Sequence, residues 1–225
     1  MLGAGIAGFL VGLSQDDPGP GAQRFDFGPQ TVVGVVEYTP QPLFHVMRGT
    51  DRIAAGRTLM MSSGNKSGVQ SRAAGLEDKL GQARGFILQR GEREMLQLRG
   101  GQNALRALQD GTADPVPEPV DLGRWRLAGE ICDGKCLAGA MRPGRGLAHK
   151  ACANLCLLGG VPPVFVSTQK VEGSEFLMVT GPDGEDLPQA AYDYVAQFIS
   201  VEGQIRRHGD LLVFSIDPTT LAVLP

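Results

Sequence analysis

All four cysteines of this 225-residue chain, with one of its three histidines, fall within one stretch, residues 129–156. The stretch reads GEICDGKCLAGAMRPGRGLAHKACANLC. Thiols and imidazoles bind soft metal ions, and thiols also form disulfides and exchange electrons. We therefore expect the chemistry of this protein to lie at five side chains, which are Cys132, Cys136, His149, Cys152 and Cys156.

The second part of this stretch predicts a helix. Residues 147–158, LAHKACANLCLL, follow glycines and precede a glycine pair, which is typical of a helix of about three turns. At 100° per residue, His149, Cys152 and Cys156 lie on one face of that helix. The first two cysteines of the stretch precede it, in a strand end and a loop that can fold back, so a cluster is easy to form.

A metal site is one outcome of such a cluster. Zinc takes four nitrogen or sulfur ligands in a tetrahedral arrangement. His149, Cys152 and Cys156 would supply three of them, and Cys136 or Cys132 the fourth. The spacing is atypical, because both cysteine pairs are Cys-x₃-Cys. Copper(I) is the alternative ion, with Met141 nearby as a soft thioether. Asp133 either orients the histidine or forms a turn after the strand.

Disulfides are the second outcome. Four cysteines can form two bridges in an oxidising compartment. Because i,i+4 thiols on a helix have poor geometry for a bond, the bridges would join Cys132 and Cys136 to Cys152 and Cys156. Each would contribute about 3 kcal/mol. Redox catalysis usually needs Cys-x₂-Cys at a helix N-terminus, whereas both pairs here are Cys-x₃-Cys, so it is the least favoured of the three outcomes. Of the other two, we favour a disulfide staple over a metal site.

The same residues resemble a group of largely uncharacterised bacterial secreted or membrane-anchored proteins. The shared signature is Gly, an apolar residue, Asp-x-x-Cys, a loop, His-x-x-Cys-x-x-x-Cys and a glycine pair. Its positions in this chain are Gly129, Asp133, Cys136, His149, Cys152, Cys156, Gly159 and Gly160. The resemblance covers roughly residues 127–217 and implies a small extracytoplasmic OB-like barrel without an agreed activity.

This chain departs from the group at one position. Cys132 stands where the group has an apolar residue. The shared set of three cysteines and a histidine suits a Cys₃His metal site as much as a single disulfide. The fourth thiol makes two disulfides available in this chain, so both interpretations stay open.

The remaining sequence predicts an all-β protein. Its 32 glycines and 15 prolines favour many short strands joined by turns. Residues 82–98 and 200–216 share one plan, in which a strand, a tight turn and an apolar strand follow a glycine, and this indicates an internal duplication. We therefore expect two tandem small OB-like β-barrels, with the cysteine-bearing helix in the second.

The composition also predicts the domain organisation. We expect an apolar helical anchor stub at 1–14, a stalk at 15–24, a first OB-like domain at 25–108, a proline-rich linker at 109–120 and a second OB-like domain at 121–225. The anchor stub is shorter than the roughly 20 residues that a spanning helix needs. We interpret it as part of a membrane helix that holds the protein on the extracytoplasmic, periplasmic face, and a short interfacial or buried segment is the alternative.

Several functions are disfavoured by the sequence. A net charge of −3 without a run of basic residues argues against nucleic acid, and an aromatic content of 6% argues against base stacking. No Gly-x-Ser-x-Gly or His-Glu-x-x-His motif is present. His45 is expected to be a structural strand residue, and His208 a solvated residue at a turn.

The sequence thus predicts a non-catalytic accessory or binding subunit with a membrane or envelope protein as its partner. The cluster would be a disulfide staple or a structural site for one zinc ion. The alternative is a protein that handles zinc or copper, or that uses thiol redox chemistry, through Cys136, His149, Cys152 and Cys156.

Overall fold

The computed structural model describes Gly19, residues 21–109 and residues 111–225. The described chain is mostly β-strand and forms a seven-stranded sheet and a closed five-stranded barrel. This confirms the prediction of a mainly β protein with a barrel. The predicted anchor stub at 1–14 and most of the stalk at 15–24 lie outside the described residues.

The described residues of the first half form seven strands and one short helix. They are β1 (Ala22–Gln23), β2 (Gln30–Thr39), β3 (Gln41–Arg48), β4 (Thr58–Ser62), α1 (Gln70–Ala73), β5 (Leu80–Arg90), β6 (Arg93–Leu98) and β7 (Leu105–Ala107). Pro40 separates β2 from β3, as expected for a residue that cannot donate a backbone hydrogen bond within a sheet. The predicted hairpin around Gly91 is formed by β5 and β6.

The second half contains five strands and one longer helix. They are β8 (Val120–Asp133), α2 (Lys150–Leu158), β9 (Pro163–Val171), β10 (Ser174–Thr180), β11 (Ile199–His208) and β12 (Leu211–Val223). A 3₁₀ turn at Leu147–His149 leads into α2, so the predicted helix over residues 147–158 is confirmed. The second predicted hairpin is β11 and β12, joined at Gly209.

Five strands in each half pair in the same cyclic order. In the first half β2 pairs with β3, β3 with β4, β4 with β6, β6 with β5, and β5 with β2. In the second half β8 pairs with β9, β9 with β10, β10 with β12, β12 with β11, and β11 with β8. In both, the pair between the third and fifth strands is parallel and the other four are antiparallel.

A buried apolar cluster joins the two halves. It combines first-half side chains with second-half side chains, among them Leu43, Met60, Met95, Met178, Leu211 and Val213. Of the described residues of the predicted linker 109–120, positions 109 and 111–119 lie outside helices and strands, and Val120 begins β8. Within the described parts of the chain, no helix has the length and apolar character needed to cross a membrane.

Candidate metal centre

The structure brings three of the four thiols together. The Sγ atoms of Cys136, Cys152 and Cys156 all lie within 4.8 Å of one another. Cys136 begins a helical turn at Cys136–Ala140, which Gly134 and Lys135 connect to the end of β8, and the other two lie on α2. A metal–sulfur bond of about 2.3 Å at tetrahedral corners separates neighbouring sulfurs by about 3.8 Å. The three thiols are therefore positioned to hold a metal ion.

Asp133 and His149 form a second group that shares Cys136. The potential ligand atoms of these three residues also lie within 4.8 Å of one another. Asp133 Oδ1 accepts the backbone N–H of Cys136 at 2.8 Å, and Asp133 Oδ2 lies 2.9 Å from His149 Nε2. Asp133 therefore does both things that the sequence suggested, because it holds the turn and also orients the histidine. A carboxylate on one ring nitrogen is the usual arrangement around a metal-binding histidine.

The loop between Cys136 and α2 folds back onto β8. Glu130 in β8 accepts the backbone N–H of Gly146. Gly144 lies so close to the Cys136 turn that a Cβ atom at this position would be 2.3 Å from the carbonyl oxygen of Cys136. The glycines of the predicted loop thus allow the close approach that places α2 beside the strand end.

Two lysine side chains face the thiols. Lys66 lies between β4 and α1, and its Nζ is 2.6 Å from Cys152 Sγ and 3.9 Å from Cys156 Sγ. Lys135 is buried, and its Nζ donates hydrogen bonds of 2.9, 3.0 and 2.7 Å to three carbonyl oxygens, those of Ser63, Gly64 and Asn65. Lys135 therefore fixes the loop that carries Lys66 over the cluster. Neither lysine was identified from the sequence.

The electrostatics of the cluster favour a thiolate at Cys156. The hydrogen bond between Cys136 and Cys156 raises the pKa of Cys136, and burial raises it further. The same hydrogen bond lowers the pKa of Cys156, although burial opposes the change, and Lys66 adds to the lowering. The hydrogen bond to Cys152 raises the pKa of Lys66. Of these two thiols, Cys156 is therefore the one that loses its proton more readily.

The fourth cysteine lies apart from the other three. Cys132 is fully buried in the apolar cluster between the two halves, and its Sγ lies 3.1 Å from Glu130 Oε1. Burial raises the pKa of Cys132 well above its ordinary value. Adjacent strand residues point to opposite faces, so Asp133 faces the cluster and Cys132 faces the other half.

The predicted pair of disulfides is not found. All four cysteines, Cys132, Cys136, Cys152 and Cys156, belong to the described chain and are free thiols. The physical reason is the strand geometry at Cys132, which directs that thiol away from α2. Three thiols then converge without a fourth, and this arrangement cannot form two bridges.

A second group of titratable side chains connects the halves. Glu37 Oε2 lies 2.6 Å from His45 Nε2, and Glu37 Oε1 lies 2.7 Å from His208 Nδ1. The prediction that His208 is solvated is wrong, since it is only 7% exposed. The turn at Gly209 packs against Thr58, which buries the histidine. Burial by itself would raise the pKa of Glu37, but the hydrogen bonds from His208 and His45 lower it to about 2.

A comparison of this chain with protein-family models, curated proteins and solved structures finds no match.

Proposed function

We propose that this protein is a non-catalytic accessory or binding subunit in which a metal ion, held by Cys136, Cys152 and Cys156, fixes α2 to the second barrel. The observation that carries the proposal is the convergence of three unbridged thiols within 4.8 Å. Thiols that approach this closely from a strand end and a helix are typical of structural metal sites, in which binding free energy stabilises the fold.

His149 is the fourth ligand of the Cys₃His set that the sequence predicts. It is 2% exposed, groups with Cys136 and Asp133, and has its Nε2 atom beside Asp133. In that set the ion would be bound through the other ring nitrogen.

The pairing order supports a duplicated OB-like architecture. The described chain repeats one cyclic order of five strands, with the parallel pair at the same place. OB-like barrels usually present a face or a loop set to a binding partner, so by analogy of fold we propose a binding role. We also propose attachment to a membrane through the apolar residues 1–14, an extracytoplasmic location and an envelope or membrane protein as the partner.

Thiol redox chemistry is the second candidate function. It is favoured by the Lys66 ammonium at 2.6 Å from Cys152 Sγ and by the lowered pKa of Cys156. Cys152 is partly exposed, so a small disulfide or peroxide could reach its sulfur.

Metal analysis with a thiol count on the same sample tests the proposal. The full chain is purified under reducing conditions. Native mass spectrometry then counts the bound metal ions, and the intact mass after alkylation counts the free thiols. We expect one metal ion per chain and four alkylatable thiols once the metal is removed. Cys136→Ser and Cys156→Ser should lose the ion, whereas Cys132→Ser should retain it. Two disulfides without metal, or turnover that disappears in Cys136→Ser, would contradict the proposal.

A further inference from the structure

A fourth sulfur atom lies at the edge of the thiol cluster. Met141 Sδ is 3.5 Å from Cys152 Sγ. The Met141 side chain is 44% exposed, so burial in the core does not account for its position. It follows directly after the turn that begins at Cys136. Thioether and thiolate sulfurs are the ligands that favour copper(I), whereas zinc is usually bound by thiolates and imidazoles.

The histidine is more strongly engaged elsewhere. His149 groups with Asp133 and Cys136, whereas Cys152 and Cys156 belong to the other group. Its hydrogen bond to Asp133 connects α2 to the end of β8, where Asp133 also holds the Cys136 turn. These contacts give His149 a positioning role for Cys136 and leave the four sulfurs as a ligand set of their own.

We infer that the ion bound at this centre is copper(I), held by the sulfurs of Cys136, Cys152, Cys156 and Met141. This inference rests on the proposed metal-binding function. Because Cys152 and Met141 are the exposed members of the set, the ion enters and leaves from their side. A partner that delivers or receives the ion would present thiol or thioether sulfur to this edge.

Competition titrations of the full chain distinguish the two metals. Copper(I) is titrated anaerobically against bicinchoninate, and zinc(II) against a chromogenic zinc chelator. We expect one copper(I) per chain, bound more tightly than zinc. The X-ray absorption spectrum of the copper form should contain a sulfur shell and no imidazole.

Variants test the ligand assignment. Met141→Leu should weaken copper(I) binding by about tenfold or more, since even outer partners of a metal are worth that much, and should leave zinc binding unchanged. Met47→Leu, a partly exposed methionine on β3, is the matched control and should change neither. Circular dichroism confirms that each variant is folded.

The outcomes separate this inference from the proposed function. Tighter binding of zinc, with loss of zinc in His149→Asn, would overturn the copper assignment and leave the metal site standing. Unchanged copper(I) binding in Met141→Leu would remove Met141 from the ligand set and overturn the inference. Failure of both metals to bind would overturn the inference and the proposed function together.

Discussion

Lys66 Nζ lies 2.6 Å from Cys152 Sγ, although the two residues are 86 positions apart and belong to different halves of the chain. Through this contact a loop of the first half covers the thiol cluster of the second. Backbone contacts support the cover, because Gly68 N–H donates to the carbonyl oxygen of Gly159 at 2.9 Å. The candidate metal centre is therefore also a place where the two halves meet.

Replacing Lys66 should change the titration of the metal-free cluster. The pKa of Cys156 is lowered by its hydrogen bond with Cys136 and, to a smaller extent, by the Lys66 charge. In Lys66→Gln, the thiolate absorbance in the ultraviolet should therefore appear at higher pH than in the parent chain. Cys156→Ser identifies which signal belongs to this thiol.

Lys79→Gln is the control for this titration, since Lys79 is exposed and its Nζ donates to the nearby carbonyl oxygen of Gly75. It should leave the curve unchanged. An identical curve for Lys66→Gln would show that Lys66 does not stabilise the thiolate.

Neutralising Glu37 should destabilise the contact between the halves in a pH-dependent way. The folded pKa of about 2 lies below the ordinary value of 4.5, so the stabilisation is fully present above about pH 4.5 and is lost as the pH falls toward 2. A shift of this size corresponds to about 3 kcal/mol, which is the upper limit for the loss of unfolding free energy in Glu37→Gln at pH 7. Urea denaturation of both proteins across this pH range measures the difference.

Glu172→Gln is the matched control for the Glu37 experiment. Glu172 forms an exposed ion pair with Arg207 at 3.0 Å, and such pairs contribute about 0–1 kcal/mol. If the difference in unfolding free energy between the parent chain and Glu37→Gln stays constant from pH 7 to pH 2, Glu37 does not stabilise the fold by bridging His45 and His208.

A methyl group at the end of α2 should displace the loop that covers the cluster. In Gly159→Ala the added Cβ would lie 1.9 Å from the carbonyl oxygen of Lys66. The backbone must move to relieve this steric clash. We expect a loss of about 1–3 kcal/mol in unfolding free energy, as for overpacked sites, and weaker metal binding.

Gly64→Ala provides a control from the same loop, because a Cβ atom there meets nothing within 4 Å. It should preserve both the stability and the metal affinity. Equal effects of the two substitutions would mean that the close approach at Gly159 is not what holds the loop.

Removing the fourth thiol should affect packing and not metal binding. Cys132 is fully buried between the halves, so Cys132→Ala leaves a small cavity that costs about 1 kcal/mol of unfolding free energy. The metal content should remain that of the parent chain. Cys136→Ala, by contrast, should lose the ion, and loss of the ion in Cys132→Ala as well would place Cys132 in the site.

Local patterns in the sequence were sufficient for many elements of the fold. The turns at Gly91 and Gly209, each between apolar runs, predicted the hairpins β5–β6 and β11–β12. The glycines around residues 147–158 predicted α2. These predictions succeeded because a turn or a helix end depends on residues that are neighbours in the chain.

The sequence by itself determined that Cys152 and Cys156 share a helix face and that the preceding loop can return Cys136 to them, since helix periodicity and loop length are local properties. Only the tertiary structure decided which other groups join them. The register of β8 turned Cys132 toward the first half. The packing of the halves placed Lys66 over the thiols and His208 against Glu37. These contacts join segments far apart in the chain, and their geometry is set by how two sheets pack, which no local pattern encodes.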